Sequence, residues 1–157
     1  MTAPAAFAAR PLGEMEWEEL LVRYEITPRA LNAALDDGDT AGPARERLRG
    51  LLGALVRTEL RTAALFEAMR SGAALDAGVT SDDDALPEEP RAIRDQFARL
   101  RARNFAAVQR RGLEVWDWRT HAGPDGEVSA YQVIQASCAL DGETLAGIRE
   151  ALRGAVA

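Results

Sequence analysis

The chain has 157 residues, 47% of them hydrophobic, and a formal net charge of −6 at pH 7. This length and composition predict one globular domain with its own core and argue against disorder. The negative charge disfavours broad binding to nucleic acid or to anionic membranes. All 19 basic residues are arginine, which excludes Schiff-base chemistry and a phosphate-binding P-loop, because both need lysine.

The single cysteine cannot form an internal disulfide, and no apolar run approaches the roughly 20 residues that a membrane-spanning helix needs. Residues 2–9 are apolar, but the run is short, has no basic front end and contains Pro4. We therefore interpret residues 1–12 as a flexible N-terminal tail rather than a signal peptide. The expected location is the cytoplasm, and the predicted domain covers residues 13–157.

Apolar residues that recur every three or four positions predict the first helix. They are Trp17, Leu21, Tyr24, Leu31 and Leu35. Pro28 falls in the same phase, so either one helix is interrupted there or Thr27 caps a second helix. The unbroken phase favours one interrupted helix, and residues 36–43 then form a polar turn.

Three further segments have the same periodicity. The second carries Leu48, Leu52, Leu55, Glu59, Thr62, Phe66 and Met69, and stops at Gly72. The third carries Ile93, Phe97, Leu100, Phe105 and Val108, and stops at Gly112. The fourth carries Ile134, Cys138, Asp141, Leu145, Ile148 and Leu152, after a capping box of Ser129 and Gln132.

The connection over residues 71–90 is long and acidic, and a short strand is predicted near Leu113–Trp118. Four amphipathic helices with one long crossover predict an all-α four-helix bundle. The residues expected in its core are Leu52, Leu55, Phe66, Phe97, Leu145 and Ile148.

Three segments together resemble the DinB-like (damage-inducible, or YfiT-like) proteins. LLVRYEITPRALNAAL (20–35) resembles their first helix, LLGALVRTELRTAALFEAM (51–69) their second, and GEVSAYQVIQASCALDGETLAGIREAL (126–152) their last. The resemblance implies a down-up-up-down four-helix bundle with a long crossover and frequent homodimers. It also implies divalent-metal binding and, in some members, thiol-dependent transferase activity.

The family's metal ligands are three histidines, in the patterns His-Leu-x-x-x-Glu and His-Asp-x-x-His. Here the three positions hold Ala54, Leu140 and Thr144, while Leu55, Glu59 and Asp141 match the flanking residues. A transition metal needs about three nitrogen, sulfur or carboxylate donors. Alanine and leucine offer none and a threonine hydroxyl is a weak one, so we expect neither a metal nor another cofactor.

Glu59 and Asp141 nevertheless fall on the apolar faces of their helices, where a carboxylate must be paired or hydrogen-bonded. One interpretation is a polar pocket between the second and last helices. The residues assigned to this pocket are Tyr24, Thr58, Glu59, Asp141 and Thr144. The other interpretation, which we favour, is a structural pairing of the carboxylates with an arginine or a tyrosine, or contact with water at the edge of each face.

The remaining candidates have simpler explanations. His121 lies in a turn and is expected to be solvated, and Cys138, well inside a helix, is expected to be a small buried hydrophobe rather than a nucleophile. The arginines of the third helix scatter around it and are expected to be solvated, which makes a nucleic-acid surface improbable. Trp116 and Trp118 are expected to cap one end of the bundle rather than stack on a ligand.

Two functional hypotheses remain. The favoured one is a non-catalytic, stress-associated homodimeric binding protein of unknown ligand. The alternative is a metal-dependent hydrolase or thiol-dependent transferase with relocated ligands such as Glu59, Asp141 and Glu143.

Overall fold

The computed structural model describes residues 3–75 and 86–155. It contains four long helices, α1 (Glu14–Asp36), α2 (Arg45–Ser71), α3 (Pro90–Gln109) and α4 (Ala130–Gly154). A hairpin of β1 (Arg119–His121) and β2 (Glu127–Ser129) precedes α4, with Thr120 opposite Val128. The all-α class is therefore confirmed. Ser81, Asp82, Asp83 and Asp84 of the predicted crossing lie outside the described residues.

Helix α1 packs against α3 and α4, and α2 packs against the same two helices. The Tyr131 hydroxyl donates to the Glu16 carboxylate, so α1 and α4 begin at the same end of the bundle. Arg45 and Glu89 form an ion pair of 2.9 Å, and Arg94 near the start of α3 pairs with Asp36 at the end of α1 at 3.2 Å. Helices α2 and α3 therefore both begin at the opposite end of the bundle. The helix directions are therefore down, up, up and down.

The predicted start of α4 and the predicted stop of α2 are present, whereas α3 ends at Gln109, before Gly112. The Ser129 hydroxyl accepts the backbone N–H of Gln132, whose side chain accepts the N–H of Ser129 in return, which is a capping box. Gly72 ends α2 with φ of 71°, a left-handed conformation that glycine adopts without strain. Helix α1 runs through Pro28, which confirms one helix and rules out a separate helix capped by Thr27.

The core faces of α3 and α4 differ from the prediction. Leu145 is only partly buried, because the buried face of α4 instead carries Ser137, Asp141, Thr144 and Ile148. Leu100 and Phe105 are also partly exposed, because α3 turns Arg101 and Asn104 inward. The other five predicted core residues are buried, namely Leu52, Leu55, Phe66, Phe97 and Ile148.

One local prediction is replaced by another structure. The segment Gly112–Asp117 is a 3-10 helix, and the strands come after it. Part of the expected flexible tail lies against the start of α4, where Gln132 donates to the Phe7 carbonyl at 3.0 Å and Ser129 donates to the Ala9 carbonyl at 2.6 Å. Within the described residues, 3–75 and 86–155, no helix has an apolar stretch of the length and hydropathy needed to cross a bilayer.

Candidate functional site

The centre of the bundle holds a buried arginine. Arg101 projects from α3 with 1% of its surface exposed. Its Nε donates to Glu59 Oε1 of α2 at 2.9 Å, and its Nη1 and Nη2 donate to the two carboxylate oxygens of Asp141 of α4 at 2.8 and 2.9 Å. One guanidinium therefore joins three helices through charge-assisted hydrogen bonds.

Further donors complete the coordination of both carboxylates. Glu59 Oε2 accepts the Tyr24 hydroxyl and Asn104 Nδ2, each at 2.8 Å. Asp141 Oδ2 also accepts the Thr27 hydroxyl at 2.7 Å. All four helices contribute to this cluster, which we call the Arg101 network. Its six members are Tyr24, Thr27, Glu59, Arg101, Asn104 and Asp141.

Pro28 has a direct role in this network. An α-helical N–H normally donates to the carbonyl four residues earlier, but proline has no N–H, so the Tyr24 carbonyl loses its usual partner. Arg101 Nη1 donates to that carbonyl at 2.7 Å. The guanidinium also lies 4.0 Å from the ring centre of Tyr24 and 4.8 Å from that of Phe97, a cation–π arrangement. The helix interruption thus creates a binding position for the arginine.

The pKa shifts of Arg101 and Tyr24 show how the network holds its charges. Burial alone lowers the pKa of Arg101, but the nearby Glu59 charge and the hydrogen bond to Asp141 outweigh that effect and raise it. Burial, followed by the charge of Glu59, raises the pKa of the Tyr24 hydroxyl. Arg101 therefore stays a cation and Tyr24 a neutral donor, so the network serves as a structural ion cluster.

The structure brings together three of the five residues assigned to the pocket. Tyr24, Glu59 and Asp141 are in the Arg101 network, and Thr144 is buried on α4. Thr58 lies apart from the network, on the wall of an open cleft. Both carboxylates have the structural pairing with an arginine that the sequence analysis favoured, and Glu59 also accepts a tyrosine hydroxyl.

Arg101 itself was not identified from the sequence, and the prediction that the arginines of α3 are solvated is wrong for it. Asn104 was missed as well. A signal was present, since Phe97, Arg101, Asn104 and Val108 follow helical spacings of four, three and four residues. This spacing was missed because only apolar residues of α3 were assigned to its core face.

The three positions that the resemblance assigns to metal ligands hold residues that do not fit a metal ion. Ala54 is partly buried, and Leu140 and Thr144 are buried, but between them they supply one neutral hydroxyl. Of the two carboxylates next to Leu140 and Thr144 in sequence, Asp141 is bound to Arg101 and Glu143 is exposed. Within residues 3–75 and 86–155, no three His, Cys, Asp or Glu side chains form a group that could hold a metal ion.

A separate cleft of about 480 Å³ lies between α2 and α4. Ala54, Thr58 and Thr62 line it from α2, and Ala136 and Ser137 line it from α4. Two arginines of α2 also contribute, and one of them, Arg61, forms a 3.0 Å ion pair with Asp125. This size and this mixture of apolar walls with a few polar groups are typical of small-molecule sites.

The other candidates from the sequence lie outside both sites. His121 is exposed at the end of β1. Trp118 is buried against Phe66, with ring centres 6.2 Å apart, and Trp116 packs against the same hydrophobic cluster at one end of the bundle. The tryptophans therefore close that end of the core.

Cys138 is expected to be unreactive in the folded protein. Burial, followed by the charge of Asp141, raises the pKa of its thiol to about 12. Because the thiolate is the reactive form, we expect alkylation by iodoacetamide at pH 8 to be at least about a hundredfold slower in the native chain than in the urea-unfolded chain. Mass spectrometry of timed samples measures this ratio. Equal rates in the two states would show that the thiol is accessible and ionised.

The two regions offer different chemistry. In the Arg101 network the charged groups bind one another, whereas the cleft presents hydroxyls and arginine beside apolar walls. Comparisons with known protein families, with curated proteins and with solved structures find no match to this chain.

Proposed function

We propose that this chain is a DinB-like bundle without the family's metal site, and that it acts as a non-catalytic, homodimeric binding protein for a small molecule. The observation that carries the proposal is that the buried charges and the open cleft are formed by different residues. Glu59 and Asp141 bind Arg101, while Ala54 and Ser137 line the cleft. The down-up-up-down order of the helices supports the family identification. An association with stress rests on that identification alone.

The groups that line the cleft favour binding over catalysis. Among the described residues that line the cleft, the carboxylate is Asp125, which is held by Arg61, and there is no histidine or cysteine. A general base must be free to take a proton near the substrate, and a hydroxyl nucleophile needs such a base beside it. The cleft therefore has the groups to hold a ligand but not to activate one.

The alternative, an enzyme with relocated metal ligands, has less support. Its proposed donors were Glu59, Asp141 and Glu143. The first two are in the Arg101 network, and Glu143 is exposed on α4. A metal site there would have to displace the guanidinium from both carboxylates.

Metal content separates the two proposals. Protein purified without chelators and then dialysed is expected to contain zinc, nickel and iron at far less than one ion per chain, as measured by plasma mass spectrometry. Near-equimolar metal that is lost on Glu59→Gln or Asp141→Asn would contradict the non-catalytic proposal.

The helix alignment has its own test. The triple variant Ala54→His, Leu140→His, Thr144→His is expected to gain nickel or zinc affinity in calorimetry, because two of its new imidazoles lie one helical turn apart on α4. The double variant Leu140→His, Thr144→His is the control and should bind more weakly. A folded triple variant with no gain in affinity would contradict the alignment with the family.

Helix α1 offers a face for the dimer. Met15, Val22 and Ile26 are 76%, 56% and 47% exposed, and their spacing of seven and four residues places them on one side of the helix. Large apolar side chains exposed on one face are typical of an interaction surface. We therefore assign this side of α1 to contact with a second copy of the chain.

The dimer is expected to depend on this apolar face. Light scattering should show a dimer at tens of micromolar protein, and Val22→Glu should convert it to a monomer by placing a charge in the interface. Leu113→Glu, at an exposed apolar position outside α1, is the matched control. Added salt should weaken the dimer only modestly, because exposed ion pairs contribute about 0–1 kcal/mol each. A wild-type monomer, or a dimeric Val22→Glu variant, would refute the assignment.

A further inference from the structure

The cleft between α2 and α4 contains a buried hydroxyl that has no partner. Ser137 is 1% exposed, lines the cleft, and its Oγ makes no hydrogen bond to any described residue. A serine inside a helix can donate to the carbonyl four residues earlier, but Ser137 does not do so. Leaving a buried polar group unpaired costs free energy, and a ligand group that bonded to this hydroxyl from the cleft would offset that cost.

The opposite wall of the cleft carries cations. Arg57 is exposed, and it has no ion-pair partner within residues 3–75 and 86–155. Arg61 follows one helical turn later on the same face and is paired with Asp125 at 3.0 Å. Among the described residues, two arginines and one aspartate line this wall and leave it with one positive charge in excess, which matches a ligand with a single negative charge.

The surfaces between these polar groups are apolar. Ala54 and Leu65 of α2 face Val133 and Ala136 of α4, and Pro4 from the N-terminal segment also lines the cleft. A ligand that reaches from the exposed Arg57 to the buried Ser137 must therefore have an apolar body. A fully polar ligand would lose its hydration against these side chains without replacement.

We propose that this cleft binds a monoanionic organic acid whose carboxylate lies at Arg57 and Arg61 and whose far end carries a hydrogen-bonding group that meets Ser137. The inference rests on the proposed binding function and names the class of ligand for the same cleft. Bidentate contact with arginine suits a carboxylate, and the paired Asp125 disfavours a second negative charge on the ligand.

The charge of the ligand is tested with four probes of equal chain length: octanoate, ω-hydroxyoctanoate, octanol and octylamine. Calorimetry on the full chain is expected to show that octanoate binds about tenfold more tightly than octanol, and that octylamine does not bind. Arg57→Gln should remove the advantage of octanoate over octanol. Arg99→Gln, an exposed arginine of α3 that does not line the cleft, is the matched control and should leave it unchanged.

The role of Ser137 is tested by comparing ω-hydroxyoctanoate, which has a terminal hydroxyl, with octanoate, which lacks one. The wild-type chain is expected to bind ω-hydroxyoctanoate about threefold to tenfold more tightly than octanoate, since one neutral hydrogen bond is gained. Ser137→Ala should abolish that preference while leaving the melting temperature unchanged or slightly higher, because it removes an unpaired buried group. Ala136→Phe should abolish binding of every probe by filling the cleft.

The outcomes separate the ligand class from the proposed function. Equal binding of octanol and octanoate, blocked by Ala136→Phe, would overturn the anion assignment while supporting a binding cleft. Binding that persists in Ala136→Phe, or no binding of any probe, would overturn the inference at this cleft. Stoichiometric metal would overturn the proposed function by a separate measurement.

Discussion

Arg101→Met is expected to destabilise the fold by about 3–5 kcal/mol, since removing one partner of a buried ion pair leaves the other charge uncompensated. Here the loss strands two carboxylates, Glu59 and Asp141, whose side chains are 0% and 6% exposed. Methionine retains the apolar length of the arginine side chain, so packing changes little. Urea unfolding followed by circular dichroism measures the difference in free energy of unfolding.

The matched control is Arg99→Met on the exposed side of the same helix, where a change within about 0.5 kcal/mol is expected. A second variant isolates the charge effect. Adding Glu59→Gln and Asp141→Asn to Arg101→Met removes the stranded charges and should recover a substantial part of the loss. If Arg101→Met lowered the free energy of unfolding by less than about 1 kcal/mol, water would have to reach the two carboxylates, and the network would not be shielded from solvent.

Ile148→Ala is expected to cost about 2–5 kcal/mol, through lost burial and the cavity that remains. Ile148 is fully buried among the helices, whereas Leu145, three positions earlier on α4, is only partly buried. Leu145→Ala is therefore the matched comparison, with an expected cost of about 1 kcal/mol. Urea or thermal unfolding of the two variants, measured side by side, gives the two losses in free energy of unfolding.

Comparing the destabilisation of Ile148→Ala with that of Leu145→Ala tests which face of α4 is buried. Two faces of this helix are compatible with its sequence: one contains Leu145 and Leu152, and the other contains Thr144 and Ala151. The structure buries the second. A larger loss for Leu145→Ala than for Ile148→Ala would mean that α4 is rotated relative to its neighbours.

The sequence was sufficient to predict the four helices and several of their ends. Periodicity over about 20 residues identifies a long helix well, and local signals such as the Ser129 capping box and Gly72 depend only on nearby residues. The rotation of α3 and α4 was predicted less well. Polar residues were read as solvent-facing, and two buried positions of α3, Arg101 and Asn104, are polar.

The candidate site was predicted only in part, for the same reason. Glu59 and Asp141 stood out because they interrupt apolar faces, and a pairing with arginine or tyrosine was anticipated. Which arginine among 19 in the chain supplies it depends on the packing of α3 between α1 and α2, which periodicity does not determine. The unpaired Ser137 hydroxyl and the Arg61–Asp125 ion pair are likewise products of tertiary packing.

Pro28 and Arg101 form an epistatic pair. With Arg101 present, the carbonyl freed by Pro28 accepts a hydrogen bond from the guanidinium, so the proline carries little penalty at this point of the helix. Without Arg101, the same carbonyl is left buried with no donor, a cost of about 1–3 kcal/mol that an alanine at position 28 would not incur. The tolerance of position 101 to substitution is therefore conditional on position 28, and a lineage that lost the arginine would come under selection to lose the proline.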